Sequence, residues 1–527
     1  MSKQQCTMAV VGLMALAVLC PWASVAQAPA APAPSPKIFT EIRFTDADTG
    51  RGIPLVELET MNFIKYVSDN EGRVAFYEPG LMEREIFFNV HCHGYDIPKD
   101  GLGIAGIKVK TQPGKVSTIK LKRINLAERL VRLTGEGRYR DSILLGHPVP
   151  PHGHRQLGHV AGQDSIQTAI YQKKIFCFWG DTLRMEYPLG LFRMAGATLP
   201  MNDPDDPQND PAHGLPYQYF VDQTGFARNM IPIPDRPEGV VWVTGFVVVP
   251  DDKGVEKMAA WYSRRKSLET ELDQGLCVYN DEKQIFESIK ILPPGETWRH
   301  PNGHPISIEE DGKKWLLFGS PNPNVRVPAT LKDLLDAEKY EAFTCLKEIA
   351  PGKAGDPELD ASGQPIWRWQ KSLPPIDSKT EYQLMKRKKI KPEHARFCPA
   401  DVHVQSERML IHSCSVRWNP YRHRYVMILE QFGGKTSFIG EVWYAEAKSP
   451  LGPFVKAVKV VTHNRYSFYN VCHHAFLDRD GGRVIHFEGT YTSDFSGNQE
   501  RTPRYNYNQM LYRLDLSHPE VRAVYAD

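Results

Sequence analysis

Apolar and polar residues alternate along this chain in short runs, and Gly, Asn, Asp and Pro separate the runs. A period of two marks strands with one buried face. Near the N-terminus the runs are Phe39-Thr40-Glu41-Ile42-Arg43-Phe44, Arg73-Val74-Ala75-Phe76-Tyr77 and Val116-Ser117-Thr118-Ile119-Lys120-Leu121. They predict a small Ig-like or transthyretin-like β-sandwich over residues 38–123. Residues 124–160 read as a connector, with a short helix over 125–132 followed by a Pro/His-rich stretch. From 161 to 527 strand pairs recur. Their turns fall at Gln172-Lys173, Asp251 to Gly254, Glu310 to Lys313, Asn419 to Tyr421 and Asp480 to Gly482. Five hairpins, each followed by more strand-like sequence, predict a five-bladed β-propeller in an all-β protein. An array of β-sandwiches is the alternative.

The first of these hairpins carries an acid at each open end. A turn at Gln172-Lys173 sets Asp164 opposite Asp181. Directly opposed cross-strand residues have Cβ atoms roughly 4.5–5.5 Å apart, and like charges placed so are destabilising. Such a pair persists where chemistry uses it. The last hairpin repeats the pattern: around Gly481, His474 is expected to face Glu488. In a closed ring the first and last blades are neighbours, so Asp164, Asp181, His474 and Glu488 are expected on one rim. His304 at the start of the third pair and His412 opposite Glu430 in the fourth occupy comparable places.

Composition narrows the partners. The 64 basic and 62 acidic residues nearly cancel, which excludes a nucleic-acid partner held by bulk charge. Lys3, the apolar run Met8 to Cys20 and Ser24-Val25-Ala26 read as a signal peptide over residues 1–26, so a secreted or periplasmic protein is expected. Residues 27–37 are an Ala/Pro linker, and no other segment is long and apolar enough to span a membrane. Past the signal, Cys92, Cys177, Cys277, Cys345, Cys398, Cys414 and Cys472 are scattered without a C-x-x-C pair. They read as small core fillers, with room for one or two bridges. His152, His154 and His159 lie close together but on no regular element, so they read as a solvated loop rather than a metal site. No metal and no cofactor is expected, and nothing in the residues supports a calcium ion in the channel.

Paired carboxylates suit glycoside hydrolysis, where one acid stays protonated and the other is ionised. Separations of about 5–5.5 Å serve retention and roughly 6.5–9.5 Å inversion. Asp164 and Asp181 are the candidate pair, and Glu488 and His474 tune them or take one role. Gln163, Arg417, Trp418, His304, Arg326, Tyr491 and Asn470 are candidate sugar contacts. For several the plain alternative is structural: a core Trp beside a solvated Arg, or acids bonding backbone N–H groups. Tyr505, Tyr507 and Asn508 either meet ligand or form the strand that closes the ring.

Three stretches resemble known families. Gly52 to Val56, Asp69 to Gly72 and His93-Gly94-Tyr95 resemble carboxypeptidase-regulatory-like modules, which implies packing, spacing or sugar contact. Tyr444-Ala445-Glu446-Ala447-Lys448-Ser449-Pro450-Leu451-Gly452-Pro453-Phe454 resembles a signature of five-bladed glycosidases of the arabinanase and β-xylosidase group. Gly162-Gln163-Asp164 with Phe178-Trp179-Gly180-Asp181-Thr182 is similar to a propeller family, formerly of unknown function, that includes endo-D-arabinanases. There the two aspartates of the first hairpin are catalytic, which implies that role for Asp164 and Asp181. The likeness runs from Val160 to Tyr525 and departs at Asn470-Val471-Cys472-His473-His474. The expectation is a secreted glycoside hydrolase acting on a polysaccharide or oligosaccharide. The alternatives are a polysaccharide lyase, using His474 or a tyrosine with Arg417 against a uronate, and a non-catalytic carbohydrate-binding or surface protein.

Overall fold

The order of strands explains where each acid ends up. A computed structural model describes residues 38–187, 194–348 and 355–525. The signal peptide and linker expected over residues 1–37 lie outside the described residues. Two four-stranded sheets come first, within residues 40–123. In one, Thr40–Asp46 runs parallel to Val116–Arg123 and antiparallel to Arg73–Phe76. In the other, Glu57–Thr60 pairs with Lys65–Val67 and Glu85–His91. Both sheets turn apolar residues into one cluster that includes Ile42, Phe44, Phe76, Leu121, Leu58 and Phe88.

Five larger sheets follow in sequence order, antiparallel except that Ala400–Asp401 runs parallel to Lys456–Val461 in the fourth. Sheet I starts at Gln167–Tyr171 and Lys174–Trp179, sheet II at Val240–Pro250 and Glu256–Arg265, and sheet III at Ile306–Glu310 and Lys313–Phe318. Sheet IV starts at Ile411–Asn419 and Arg424–Gln431, and sheet V at Ser467–His473 and Val484–Thr492. Neighbouring sheets share cores. Phe178 of sheet I stacks on Phe246 of sheet II, with centroids 4.5 Å apart. Val247 and Ala259 of sheet II pack with Leu316 and Val325 of sheet III. Val426 and Ile428 of sheet IV join Phe468 and Ile485 of sheet V. Cys472 and Leu511 of sheet V join Ile175 and Trp179 of sheet I, so the series returns to its start. Sheets III and IV meet through the helix Ser378–Lys386, whose Ser378 Oγ accepts from the Ile411 N–H at 3.0 Å. The fold is all-β and propeller-type.

One element departs from the expectation. Residues 125–132 are not helical: Glu128–Arg132 is a strand paired antiparallel with Asn508–Asp515, and it completes sheet V. All five of its residues are buried. The unpaired edge of Asn508–Asp515 needs a partner for its N–H and C=O groups, and that demand overrides local propensity. The stretch read as connector thus supplies the outermost strand of the last sheet, and Asn508–Asp515 lies inside that sheet rather than closing it. The seven cysteines Cys92 to Cys472 are all buried and free. No helix among the described residues is long and apolar enough to cross a membrane.

Candidate active site

The first hairpin forms with the register its turn dictates. Gln172 and Lys173 both have positive φ, 47° and 59°, which gives the two-residue turn whose twist matches the flanking strands. Gln167 then pairs with Phe178 and Tyr171 with Lys174. The ladder breaks beyond Gln167 and Trp179 and resumes where Gln163 pairs with Thr182. Asp164 and Asp181 lie in that gap. Ser165 adopts φ 58°, and the Gly180 N–H donates to the Asp164 carbonyl at 2.8 Å. A Cβ on residue 180 would sit 2.4 Å from Asp164 Oδ1, so only glycine lets the carboxyl group lie there.

Each acid is partly buried and has its own donor. Tyr469 OH donates to Asp164 Oδ2 at 2.8 Å. Trp242 Nε1, from the first strand of sheet II, donates to Asp181 Oδ1 at 2.8 Å. Burial, and then the negative charge of Asp181, push the Asp164 carboxyl up to about 6, against the hydroxyls of Tyr469, Tyr507 and Ser165. Burial also raises Asp181, while the Trp242 N–H favours its charged form. The two acids therefore feel one another and do not share one environment.

A polar line leads from this pair to a third acid. Asn470, at φ 54°, donates from Nδ2 to Ser165 Oγ at 2.6 Å and from its backbone N–H to Glu430 Oε2 at 3.1 Å. Glu430 is fully buried and also accepts from Ser413 Oγ at 2.7 Å, with His412 Nδ1 at 3.1 Å. Burial raises its carboxyl group. Burial also pulls His412 down, yet the hydrogen bond and charge of Glu430 leave it raised. Ser413, not His412, is the residue directly opposite Glu430, because a bulge lies between Ile411 and Ser413.

His474 and Glu488 form a separate pair. Cys472, rather than His474, faces Glu488, because the ladder shifts between Tyr469 and Cys472 and 3-10 turns occupy Ala475–Leu477 and Asp480–Gly482. His474 Nε2 still reaches Glu488 Oε1 at 3.2 Å. Their side chains are only 2% and 0% exposed, and among the described residues no hydrogen bond or ion pair joins either to Asp164 or Asp181. Cys472 Sγ lies 3.6 Å from His304 Nδ1 and 3.9 Å from His474 Nδ1. Burial opposes both charges, but the thiol and Glu488 lift His474 to about 10, and the two imidazoles hold the Cys472 thiol well below its usual range.

The remaining candidates divide. Asn470 reaches the acid pair through Ser165. His304 is partly exposed and borders Cys472. Arg417 Nη1 donates to the carbonyls of His304 and Val416 at 3.1 and 2.9 Å. Gln163 is fully buried and accepts from the Tyr219 hydroxyl, so it braces the strand below Asp164 rather than meeting ligand. Arg326 ion-pairs with Glu310 and Glu341, between the rings of Trp315 and Trp369, and is consumed there. Tyr491 is fully buried against His93 and Thr502, at the junction with the N-terminal sheets. Trp418 is exposed, but it lies six residues along its strand from His412, roughly 20 Å at strand rise. Sequence reasoning missed Trp242, Tyr469 and Ser165. Position at the start of an innermost strand was the signal that could have found Trp242. Among the described residues no group of three or more metal-ligating side chains could hold a metal ion.

No protein-family model and no curated protein matches the chain. Solved structures overlap it at low similarity. A Bacteroides ovatus protein assigned as a hydrolase has 14% identity over 68% of this chain and 86% of that one, with a TM-score of 0.40. An exo-1,5-α-L-arabinanase from a bovine ruminal metagenomic library has 11% identity over 68% and 94%, at 0.32. An α-L-arabinofuranosidase of Fusarium graminearum has 12% identity over 74% and 98%, at 0.34. At such identities no residue-level correspondence follows.

Proposed function

We propose that the chain is a secreted glycoside hydrolase whose five sheets are the blades of a five-bladed propeller, with Asp164 and Asp181 as the catalytic pair. One observation carries this reading: two partly buried acids meet in a gap of the first hairpin, and burial and the field of Asp181 hold Asp164 protonated up to about pH 6. Asp164 is the general acid that protonates the leaving glycosidic oxygen. Asp181, its charge favoured by the Trp242 N–H, is the ionised partner that attacks or activates water. Splitting two pKa values by environment is how one site supplies both forms.

A lyase acting through a tyrosine base fits less well. Burial drives Tyr469 well above its ordinary value, and burial with the charges of Asp164 and Asp181 drives Tyr507 up too. Release of reducing ends from a polysaccharide panel, by the wild-type chain and by Asp164→Asn, tests the reading. Reducing ends are expected from the wild type only. Products absorbing in the ultraviolet as unsaturated uronides would sink hydrolysis.

A further inference from the structure

Two loops leave aromatic rings in water. Loop 432–441 joins the second and third strands of sheet IV, and loop 493–507 joins the second strand of sheet V to Asn508–Asp515. Phe432, Phe438 and Phe495 on these loops are 41%, 47% and 59% exposed. They are three of the four exposed phenylalanines among the described residues. The fourth, Phe63, lies in the turn between Glu57–Thr60 and Lys65–Val67. Single exposed apolar residues are ordinary, whereas a cluster at one place marks a binding surface.

Both loops are pinned to the chain that carries Tyr469 and Asn470. Ser437 Oγ donates to the Tyr466 carbonyl at 2.6 Å, and the Phe468 N–H donates to the Ile439 carbonyl at 2.8 Å. Ser467 Oγ donates to the Asp494 carbonyl at 2.6 Å, and Asn498 Nδ2 donates to the Arg465 carbonyl at 3.3 Å. The rings are then tied to the acids by contact. Phe495 meets the Tyr469 ring edge to face at 5.8 Å, and the Tyr469 hydroxyl holds Asp164. Phe432 lies parallel to the His412 ring at 6.1 Å, and His412 borders Glu430, to which the Asn470 N–H donates. Phe438 packs on Phe432 at 4.8 Å. Among the described residues no ring contact joins Phe495 to that pair, so the wall has two separate platforms.

Phe495 stands at φ 62°, a backbone conformation that strains a residue of its bulk. Its ring is thus held in the open against a steric cost. The same two loops carry the exposed polar residues Lys435, Thr436 and Gln499. Aromatic rings interleaved with polar groups match a sugar, which offers apolar C–H faces and hydroxyl edges in turn. We propose that Phe432, Phe438 and Phe495 form a saccharide-binding wall for a polysaccharide chain, seating further rings of the glycan cleaved at Asp164 and Asp181. It rests on the glycosidase reading of the acid pair.

Affinity electrophoresis of the full chain carrying Asp164→Asn tests it, in gels containing soluble arabinan, arabinoxylan, galactan or β-glucan. Loss of the acid prevents cleavage, so binding is read without turnover. At least one polysaccharide is expected to retard the chain. Phe432→Ala and Phe495→Ala should each raise the dissociation constant about 2- to 10-fold, the size of one aromatic contact. The triple variant Phe432→Ala/Phe438→Ala/Phe495→Ala should raise it further. Phe495→Gly relieves the backbone strain, so its unfolding midpoint should not fall while retardation weakens. No retardation by any of the four polysaccharides, or retardation that the triple variant keeps, would overturn the proposal. So would a wild-type dimer in light scattering that the triple variant breaks, since a second copy would then occupy the wall. Retardation without release of reducing ends by the wild type would keep the wall and count against hydrolysis.

Discussion

The first and last hairpins of the ring share a pattern and differ in what they can do. Asp164 lies in the gap at the open end of the first strand pair, and Glu488 lies within the second strand of the last, opposite Cys472. Asp164 stays partly exposed, and its proton is held by burial and then by the negative charge of Asp181. Glu488 is 0% exposed, and its carboxyl group meets the His474 imidazole, itself 2% exposed, at 3.2 Å. One pair sets two like-charged groups together in partly exposed side chains. The other sets a carboxyl group against an imidazole in buried side chains. Exposure and sign, not the mere presence of an acid in a hairpin, distinguish the two pairs.

Substitutions break that comparison most sharply at the first hairpin. Asp164→Asn and Asp181→Asn should each lower glycan turnover by about 10²–10⁴, the usual contribution of a positioned acid or base. The unfolding midpoint should not fall in either. Next in size, Glu488→Gln or His474→Phe should cost about 3–5 kcal/mol in urea denaturation, because each leaves one buried partner uncompensated. Turnover per folded molecule should stay unchanged. The double variant His474→Leu/Glu488→Leu should recover most of that loss. If the single variants instead abolish turnover at full stability, the last hairpin is a reacting site like the first.

The pH response is smaller and has a definite sign. The folded-state value of Asp164, about 6, lies above the ordinary carboxylate value near 4. The folded chain therefore binds this proton more tightly than the unfolded chain does. The stability it contributes is fully present below about pH 4 and is lost as pH rises through about 6. Asp164→Asn should consequently melt higher than the wild type at pH 7, and the gap should close below about pH 4. In the wild type the rate should fall as pH rises through about 6, as the general acid loses its proton. Smallest of all, Tyr469→Phe removes a donor that favours the charged form of Asp164. It should move that basic limb upward by less than about one pH unit, read from the pH profile of kcat/KM.

The first hairpin was legible because its register depends only on local turn chemistry. Gln172 and Lys173 take the left-handed conformation, Gln167 pairs with Phe178 and Gln163 with Thr182, and Asp164 and Asp181 lie in the gap between those pairs. The last hairpin was less so. Its link forms two 3-10 turns, and the shift near Asn470 depends on Glu430 and Ser165, which lie in other sheets. The strand Glu128–Arg132 was hidden for the same reason, since its partner lies at Met510 to Arg513. Arg326 and Tyr491 carry residue types that suit sugar binding. Arg326 is consumed by Glu310 and Glu341 between the rings of Trp315 and Trp369, and Tyr491 by His93, all contacts made across strands or sheets rather than along the local run. Alternation thus revealed strands and turns, whereas contacts between sheets decided which polar residues were free to act.

The proposed chemistry depends on Asp164 and Asp181 forming one electrostatically coupled pair. Titrating the carbon-13-labelled Asp164 carboxyl group by NMR, in the wild type and in Asp181→Asn, reads that coupling without any substrate. A midpoint near 6 is expected in the wild type. In Asp181→Asn it should fall yet stay above the ordinary value near 4, because burial remains when the neighbouring charge is gone. A wild-type midpoint at or below about 4, or one that Asp181→Asn leaves unmoved, would refute the coupling.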